Sequence, residues 1–106
     1  MLNQICLAGN LGNDPETYYG SGGDGMTSFN FAFTSGKDKT SWIKCICFNK
    51  TGEIAEKYLH TGARIAISGY LKQNTWTNDQ GEKRSSHEII VNNIEFIKIN
   101  GDDPQH

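Results

Sequence analysis

A ten-residue run from Ser41 to Lys50 limits the fold of this chain more than any other stretch. It is rich in β-branched, aromatic and cysteine residues and contains neither Gly nor Pro, which indicates a β-strand. Side chains alternate along a strand, so Ile43, Cys45 and Cys47 share one small, apolar face. The opposite face carries two aromatic rings with a lysine between them: Trp42, Lys44, Ile46 and Phe48. The strand therefore predicts one core-facing side and one side whose role is open.

The aromatic side of this strand has two interpretations. Large aromatic residues of a small domain are usually buried, so the strand taken alone favours a core position for Trp42 and Phe48. The alternative is display to a nucleic acid, because bases stack on aromatic rings and lysine contacts phosphate. The choice depends on the rest of the chain.

Length and charge bound the class of protein. A chain of 106 residues predicts one domain with a modest core. It has no apolar run of membrane-spanning length and no signal-peptide pattern, so we expect a soluble, cytoplasmic protein. The net charge of −2 argues against indiscriminate electrostatic binding to nucleic acid, but it is compatible with a local basic groove.

The reactive residue types show no catalytic or metal-binding pattern. The three cysteines are odd in number and lack a CxxC pair, which predicts reduced core thiols rather than a disulfide framework or zinc knuckle. The three histidines lack metal-ligand spacing, and the Gly-rich stretch 20–25 is not a phosphate loop. We therefore expect no enzymatic activity, no metal and no cofactor.

Hydrophobic periodicity predicts five strands, at 4–10, 27–35, 41–50, 64–77 and 84–99. Pro15 is expected to stop pairing after the first strand, and Gly69 to mark a bend or bulge in the fourth. Phe29, Phe31 and Phe33 are assigned mainly to the core. Three strands, a helix and a β-hairpin predict an all-β fold with one helix, the five-stranded Greek-key barrel called the OB-fold. The barrel would occupy residues 1–100, with a polar tail at 101–106.

The one predicted helix lies within 49–62, between the third and fourth strands. Ile54, Ala55, Tyr58 and Leu59 fall on one face at helical spacing, and we assign that face to the core. Asn49 or Thr51 is suited to cap the start, and Gly62 is suited to the C-terminal cap.

Five stretches together resemble a known family. They are Gly9-Asn10-Leu11-Gly12-Asn13-Asp14-Pro15-Glu16, the strand 42–48, Ala55-Glu56-Lys57-Tyr58-Leu59 followed by Gly62, Ser68-Gly69-Tyr70-Leu71, and Thr75-Trp76-Thr77 through Gly81. Their order and spacing, from about Asn3 to Phe96, closely resemble the bacterial-type single-stranded DNA-binding protein family. The resemblance implies an OB-fold that assembles as a homotetramer and wraps single-stranded DNA in replication, recombination or repair.

The resemblance also implies a binding site. Trp42, Phe48 and Trp76 match the family's stacking aromatics, which reverses the preference for burying the aromatic side of the strand at 41–50. Basic residues match positions beside the DNA path or lie at the tip of the predicted hairpin loop 78–83. We predict eight nucleic-acid-binding residues: Trp42, Lys44, Phe48, Lys50, Lys72, Trp76, Lys83 and Arg84.

The chain departs from the family pattern in three places. The link Gly36–Thr40 is short and lacks a stacking tryptophan that the family often carries there. Asn74, Thr75, His60 and Thr61 stand where basic residues are common, which implies weaker or more salt-sensitive binding. The chain ends without the family's acidic, Phe-tipped tail, so we do not expect recruitment of replication or repair proteins.

Two other functions fit the same element order. One is a dimeric primosomal-type OB protein that acts as an adaptor in replication restart. The other is an OB-fold that binds proteins or oligosaccharides. The Trp76 hairpin and the Gly9–Glu16 turn favour single-stranded DNA binding over the primosomal-type adaptor.

Overall fold

The computed structural model describes residues 2–20 and 22–98 as six strands and one helix. They are β1 (Ile5–Leu11), β2 (Glu16–Tyr19), β3 (Gly25–Gly36), β4 (Lys39–Phe48), α1 (Asn49–Tyr58), β5 (Arg64–Thr77) and β6 (Lys83–Lys98). The predicted polar tail, 101–106, and the last residue of the predicted final strand lie outside the described residues. All five predicted strands begin and end within two residues of the observed bounds. β4 is displaced by two residues toward the N-terminus at both of its ends.

The strands close into a barrel. Their order in the sheet is β1-β5-β6-β4-β3-β2, and a short pairing of Asn10 with Ala32 and Leu11 with Phe31 joins β1 back to β3. β4 and β6 are parallel neighbours, and the other pairs are antiparallel. Without β2, the barrel has five strands and its helix follows the third of them, which confirms the predicted OB-fold.

Alternating positions of the barrel strands fill the core. Phe29 and Phe31 are buried and pack edge to face, with ring centroids 6.2 Å apart, while Phe33 is partly buried against the same cluster. The other inward positions are small or aliphatic, which matches the alternation expected for strands with one core-facing side. They include Cys45, Cys47, Ile65, Ile67, Ile89 and Val91.

The core cysteines are unreactive for a physical reason. Burial raises the pKa of the Cys47 thiol to about 12, and it raises the pKa of Cys45 as well, with a smaller contribution from Cys47. The prediction of core thiols is confirmed for Cys45 and Cys47 and is wrong for Cys6, which is exposed on β1.

The prediction for the buried face of the helix was half right. Ala55 and Leu59 are buried in the core as predicted, whereas Ile54 and Tyr58 are exposed. The helix itself contacts the barrel through Gly52 and Ala55. A Cβ on Gly52 would lie 3.0 Å from the Thr27 hydroxyl and 3.1 Å from a β4 carbonyl oxygen. The helix therefore approaches the barrel more closely than a large side chain permits, and the smallest residues define its contact face.

The predicted helix caps were also wrong. The N-cap is Phe48, in extended conformation, and it makes no side-chain capping hydrogen bond. The C-cap is Leu59, whose amide donates to the Ala55 carbonyl, and Gly62 occupies a left-handed position in the following turn. The first helical residue, Asn49, has φ of 52°, because the chain turns sharply from β4 into α1.

Strand β2 was not predicted. Pro15 has no backbone N–H to donate, but it lies just before the strand. Pairing with β3 therefore begins at the next residue, Glu16, without the loss of a hydrogen bond. The Thr17 hydroxyl forms a 2.9 Å hydrogen bond with the Thr27 hydroxyl and another of 2.7 Å with the Glu56 carboxylate of α1. β2 is therefore fixed to both the barrel and the helix.

The turn before β2 is held by two side chains. Asn13 Oδ1 accepts a 2.7 Å hydrogen bond from the Asn30 amide. Asp14 Oδ1 accepts from both the amide and the hydroxyl of Thr61, each at 2.8 Å. Both hydrogen bonds stabilise the ionised carboxylate and so lower the pKa of the Asp14 carboxyl. The bond from the Thr61 backbone amide has the larger effect and the bond from the Thr61 hydroxyl the smaller one.

The position of Gly69 generates a prediction about stability. Gly69 lies at a register shift between β5 and β6, as predicted, although the extra residue of the bulge, Asn92, belongs to β6. A Cβ on Gly69 would overlap the Ile90 carbonyl group of β6. We expect Gly69→Ala to lower the free energy of unfolding by about 3 kcal/mol, because both backbones must shift. Urea denaturation measures the loss. Gly36→Ala is the control, because nothing lies within 4 Å of a Cβ there, and equal effects of the two substitutions would contradict the prediction.

The hydrogen bonds between Asp14 and Thr61 predict that the stability of the fold depends on pH. Because its folded pKa is lowered, the ionised carboxylate stabilises the fold above its unfolded pKa, and this stabilisation is lost as pH falls through the lower, folded value. We expect Asp14→Asn to be less stable than the parent chain at pH 7, and the difference to shrink below about pH 4. Urea denaturation at several pH values measures this. A difference that stays constant down to pH 2 would contradict the prediction.

Candidate nucleic-acid interface

The strand register places the outward side chains of three strands, β4, β5 and β6, on one surface. Lys44 of β4 pairs with Glu88 of β6, Glu88 pairs with Lys72 of β5, and Trp76 pairs with Arg84. Paired residues point to the same side of a sheet. The resulting surface, called here the aromatic face, comprises six of the eight predicted residues: Trp42, Lys44, Phe48, Lys72, Trp76 and Arg84.

The aromatic rings of this face are exposed. Trp42 is 60% exposed, Trp76 48% and Phe48 43%, so the usual burial of large aromatics does not apply to them. Ile46 lies between the β4 aromatics and is only 5% exposed. Its paired neighbours across β3 and β6, Ser28 and Ile90, are also buried. The face therefore consists of exposed rings and cations around a buried, partly apolar floor.

Trp42 is placed by the glycine turn that follows β1. A Cβ on Gly12 would overlap the Trp42 indole and would lie 2.8 Å from its Cη2 atom. The Gly12 amide donates a 2.8 Å hydrogen bond to the Asn30 carbonyl, which holds the turn beside β3. Gly12 thus gives the indole room to lie over the backbone, a link that the sequence pattern did not indicate.

Trp76 lies on the part of the β5–β6 hairpin that is exposed on both faces. A groove of about 470 Å³ runs beside it, lined by Trp76, Arg84, Lys83 and neighbouring polar residues. Arg84 Nη2 lies 3.2 Å from Glu82 Oε1. Lys83 pairs with Thr77, one position from Trp76, so it belongs to the opposite face of the hairpin while still lining the groove.

Lys50 stands apart from the aromatic face. It lies in the first turn of α1 and lines a separate cavity of about 350 Å³. The same cavity is lined by three acidic side chains, Asp24, Glu53 and Glu56, and by Tyr19 of β2. Its surroundings are therefore more acidic than those of Lys44 or Lys72.

One acidic side chain lies at the centre of the aromatic face. Glu88 is paired with Lys44 on one side and Lys72 on the other, and it is only 7% exposed. Within residues 2–20 and 22–98, the one salt bridge is that between Arg84 and Glu82, so both lysines keep their charge available at the surface. Sequence reasoning missed Glu88, because only the pairing of β6 with both β4 and β5 places it there.

A tyrosine that the sequence analysis did not select extends the same surface. Tyr18 of β2 pairs with Met26 of β3, and Met26 pairs with Phe48, so the three side chains lie in one row. Tyr18 is 55% exposed. Its hydroxyl donates a 2.8 Å hydrogen bond to the Glu16 carboxylate, which raises the pKa of the phenol. It was missed because β2 was not predicted.

The described residues form neither a metal-binding cluster nor a membrane-spanning helix. The described part of the chain contains no cluster of three or more His, Cys, Asp or Glu side chains that could hold a metal ion. Among its helices, none is long and apolar enough to cross a membrane.

Comparison with known proteins identifies the family. The sequence model of the Single-strand binding protein family matches residues 2–97. The single-stranded DNA-binding protein of Xanthomonas campestris pv. campestris is 32% identical over 109 residues, covering 95% of this chain and 63% of the relative. That of Xylella fastidiosa is 36% identical over 104 residues, covering 91% of this chain and 63% of the relative. The chain thus spans less than two thirds of these relatives.

A solved structure shows the same fold. A Plasmodium falciparum SSB in complex with ssDNA superposes with a TM-score of 0.83 at 24% identity, covering 92% of this chain and 97% of that chain. The agreement in fold and the match over nearly the whole length lead to one conclusion: the chain belongs to the Single-strand binding protein family.

Proposed function

We propose that this chain binds single-stranded DNA along the aromatic face, without catalysis and without sequence preference. The observation that carries the proposal is the exposure of Trp42, Phe48 and Trp76 on one face that also presents lysine and arginine. A base stacked on an aromatic ring contributes about 1–3 kcal/mol, and every base has a π-face to offer. A duplex hides those faces, so the proposed site selects single strands.

Phosphate contacts supply the second part of the proposed affinity. Lys44, Lys72 and Arg84 lie on the aromatic face, and Lys83 lines the groove beside Trp76. Lys50 lies apart from the face, next to the acidic side chains of α1. Each phosphate neutralised on a single strand contributes a slope of about −0.7 to the dependence of log K on log salt. The three cations on the face therefore predict a slope of about −2, so binding should weaken with salt less steeply than at a site with more phosphate contacts.

Membership of the Single-strand binding protein family supports a proposal for the biological setting. We propose that the chain protects single-stranded DNA during replication, recombination or repair in the cytoplasm, as a homotetramer. A native mass measurement with and without a dT oligomer gives both subunit number and stoichiometry. A dimer that binds single strands weakly would favour the replication-restart adaptor instead.

A binding titration tests the proposed function directly. We expect a labelled dT oligomer to bind more tightly than a duplex of equal length. Trp42→Ala and Trp76→Ala should each raise Kd by about five- to a hundredfold, because each removes a stacking ring. Fluorescence anisotropy measures all of these. Tyr58→Ala is the matched control, because Tyr58 is an exposed aromatic on α1, where it packs against Phe96.

Two outcomes would contradict the proposal. Equal affinity for single-stranded and duplex DNA would remove the argument from exposed base faces. Unchanged affinity of the Trp42→Ala/Trp76→Ala double variant would favour an OB-fold that binds protein or oligosaccharide.

Glu88 generates a separate prediction about the strength of binding. Its carboxylate lies between Lys44 and Lys72, where it offsets their charge and repels phosphate. We expect Glu88→Gln to tighten dT binding about fivefold at low salt, and the gain to shrink as salt is added. Glu95→Gln is the control, because Glu95 is an exposed acid of the same strand that pairs with Ala66 instead. Weaker binding of Glu88→Gln would show that the carboxylate supports the site.

A further inference from the structure

The aromatic face continues beyond β4. Tyr18 of β2, Met26 of β3 and Phe48 of β4 are paired in register and point to the same side of the sheet. Neighbouring strands are about 5 Å apart, so the Tyr18 and Phe48 backbones are separated by about 10 Å. Met26, between them, is partly buried. The row therefore presents two exposed rings on either side of an apolar side chain.

The orientation of Tyr18 is set by its neighbour on the same strand. The phenol donates to Glu16 Oε2, two residues back, and this side of β2 carries both residues. The hydrogen bond restrains the ring across the outer surface of the sheet. More than half of the side chain stays exposed, so neither the core nor α1 accounts for its position.

The next residue along β2, Tyr19, does not belong to the aromatic face. Tyr19 is also exposed, but it points to the other side of β2, and its Cε1 would lie 3.2 Å from a Cβ on Gly25. It lines the cavity beside Lys50 and the acidic side chains of α1. Two consecutive tyrosines thus face opposite surfaces, and only Tyr18 lies in line with Phe48.

We propose that Tyr18 is an additional stacking residue, at which the bound single strand continues past Phe48 onto β2. The proposal rests on the proposed function of the aromatic face and extends its path by one aromatic position. The carboxylate of Glu16 beside the ring disfavours a phosphate there, so the contact is made by a base. Tyr18 should therefore contribute to affinity without adding to the salt dependence.

The first experiment measures affinity as a function of oligomer length. We expect Tyr18→Ala to raise Kd for long dT oligomers at least about fivefold, with no change in salt slope and little change for oligomers too short to pass Phe48. Tyr18→Phe should restore most of the loss, because the stacking ring remains. Tyr19→Ala is the matched control, and thermal melts establish that all variants fold. Equal Kd for Tyr18→Ala and the parent chain at every length would overturn the proposal.

The second experiment reports on the site itself. The variant Tyr18→Trp/Trp42→Phe/Trp76→Phe carries one tryptophan, on β2, and keeps an aromatic ring at each position of the face. We expect a long dT oligomer to quench its fluorescence. Anisotropy of the labelled oligomer, measured in parallel, shows whether the DNA binds at all, independently of any change in tryptophan fluorescence. Binding without quenching would overturn the role of Tyr18 alone, whereas absence of single-strand binding by the parent chain would overturn the proposed function.

Discussion

The alternation of β4 between two surfaces is the constraint on which the rest of the structure depends. Cys45 and Cys47 turn into the barrel and are fully buried, so the residues between and beside them must point outward. A shift of one residue in its pairing would place Trp42 and Phe48 in the core and expose the thiols. Pairing with β3 over ten residues and with β6 on the other side fixes this register.

Three glycines allow segments that are distant in sequence to lie close together, and these contacts shape the aromatic face. Gly12 leaves room for the Trp42 indole, and Gly69 lets β5 approach the Ile90 carbonyl of β6 closely. Beyond this point β5 and β6 continue as the exposed hairpin. Gly52 lets α1 lie close against Thr27 of β3. These contacts involve segments distant in sequence, and each depends on the absence of a side chain. The aromatic face is therefore built from backbone proximity as much as from the aromatic residues themselves.

The strands and their faces could be predicted because the information is local. A period of two divides both the Phe29–Phe33 strand and β4 into two faces. In β4 the period alone did not show that Trp42 and Phe48 point outward, and only the family resemblance favoured that side. Helical spacing correctly placed Ala55 and Leu59 in the core, but it also favoured Ile54 and Tyr58, which are exposed because the helix lies too close to the barrel for large side chains.

The rest of the candidate interface depends on pairing between distant strands. Six of the eight predicted residues lie on the aromatic face. Lys83, chosen from the hairpin tip, belongs to the opposite side of the hairpin, and Lys50, chosen from the resemblance, lies apart in an acidic cavity. Neither choice contained information on side-chain direction. The position of Glu88 on the aromatic face depends on β6 pairing with both β4 and β5, which local sequence patterns do not indicate. Tyr18 required β2, a four-residue strand whose pairing with β3 has no strong local pattern.

Mapping the amide shifts of the isotope-labelled protein on addition of a dT oligomer tests the central claim most directly. The account predicts that the largest shifts occur along β4 and the β5–β6 hairpin, at residues 42–48, 72–76 and 84–88, while the exposed side of α1 around Ile54 stays unchanged. Largest shifts on α1, or shifts spread evenly over the barrel, would contradict the aromatic face as the site of DNA binding.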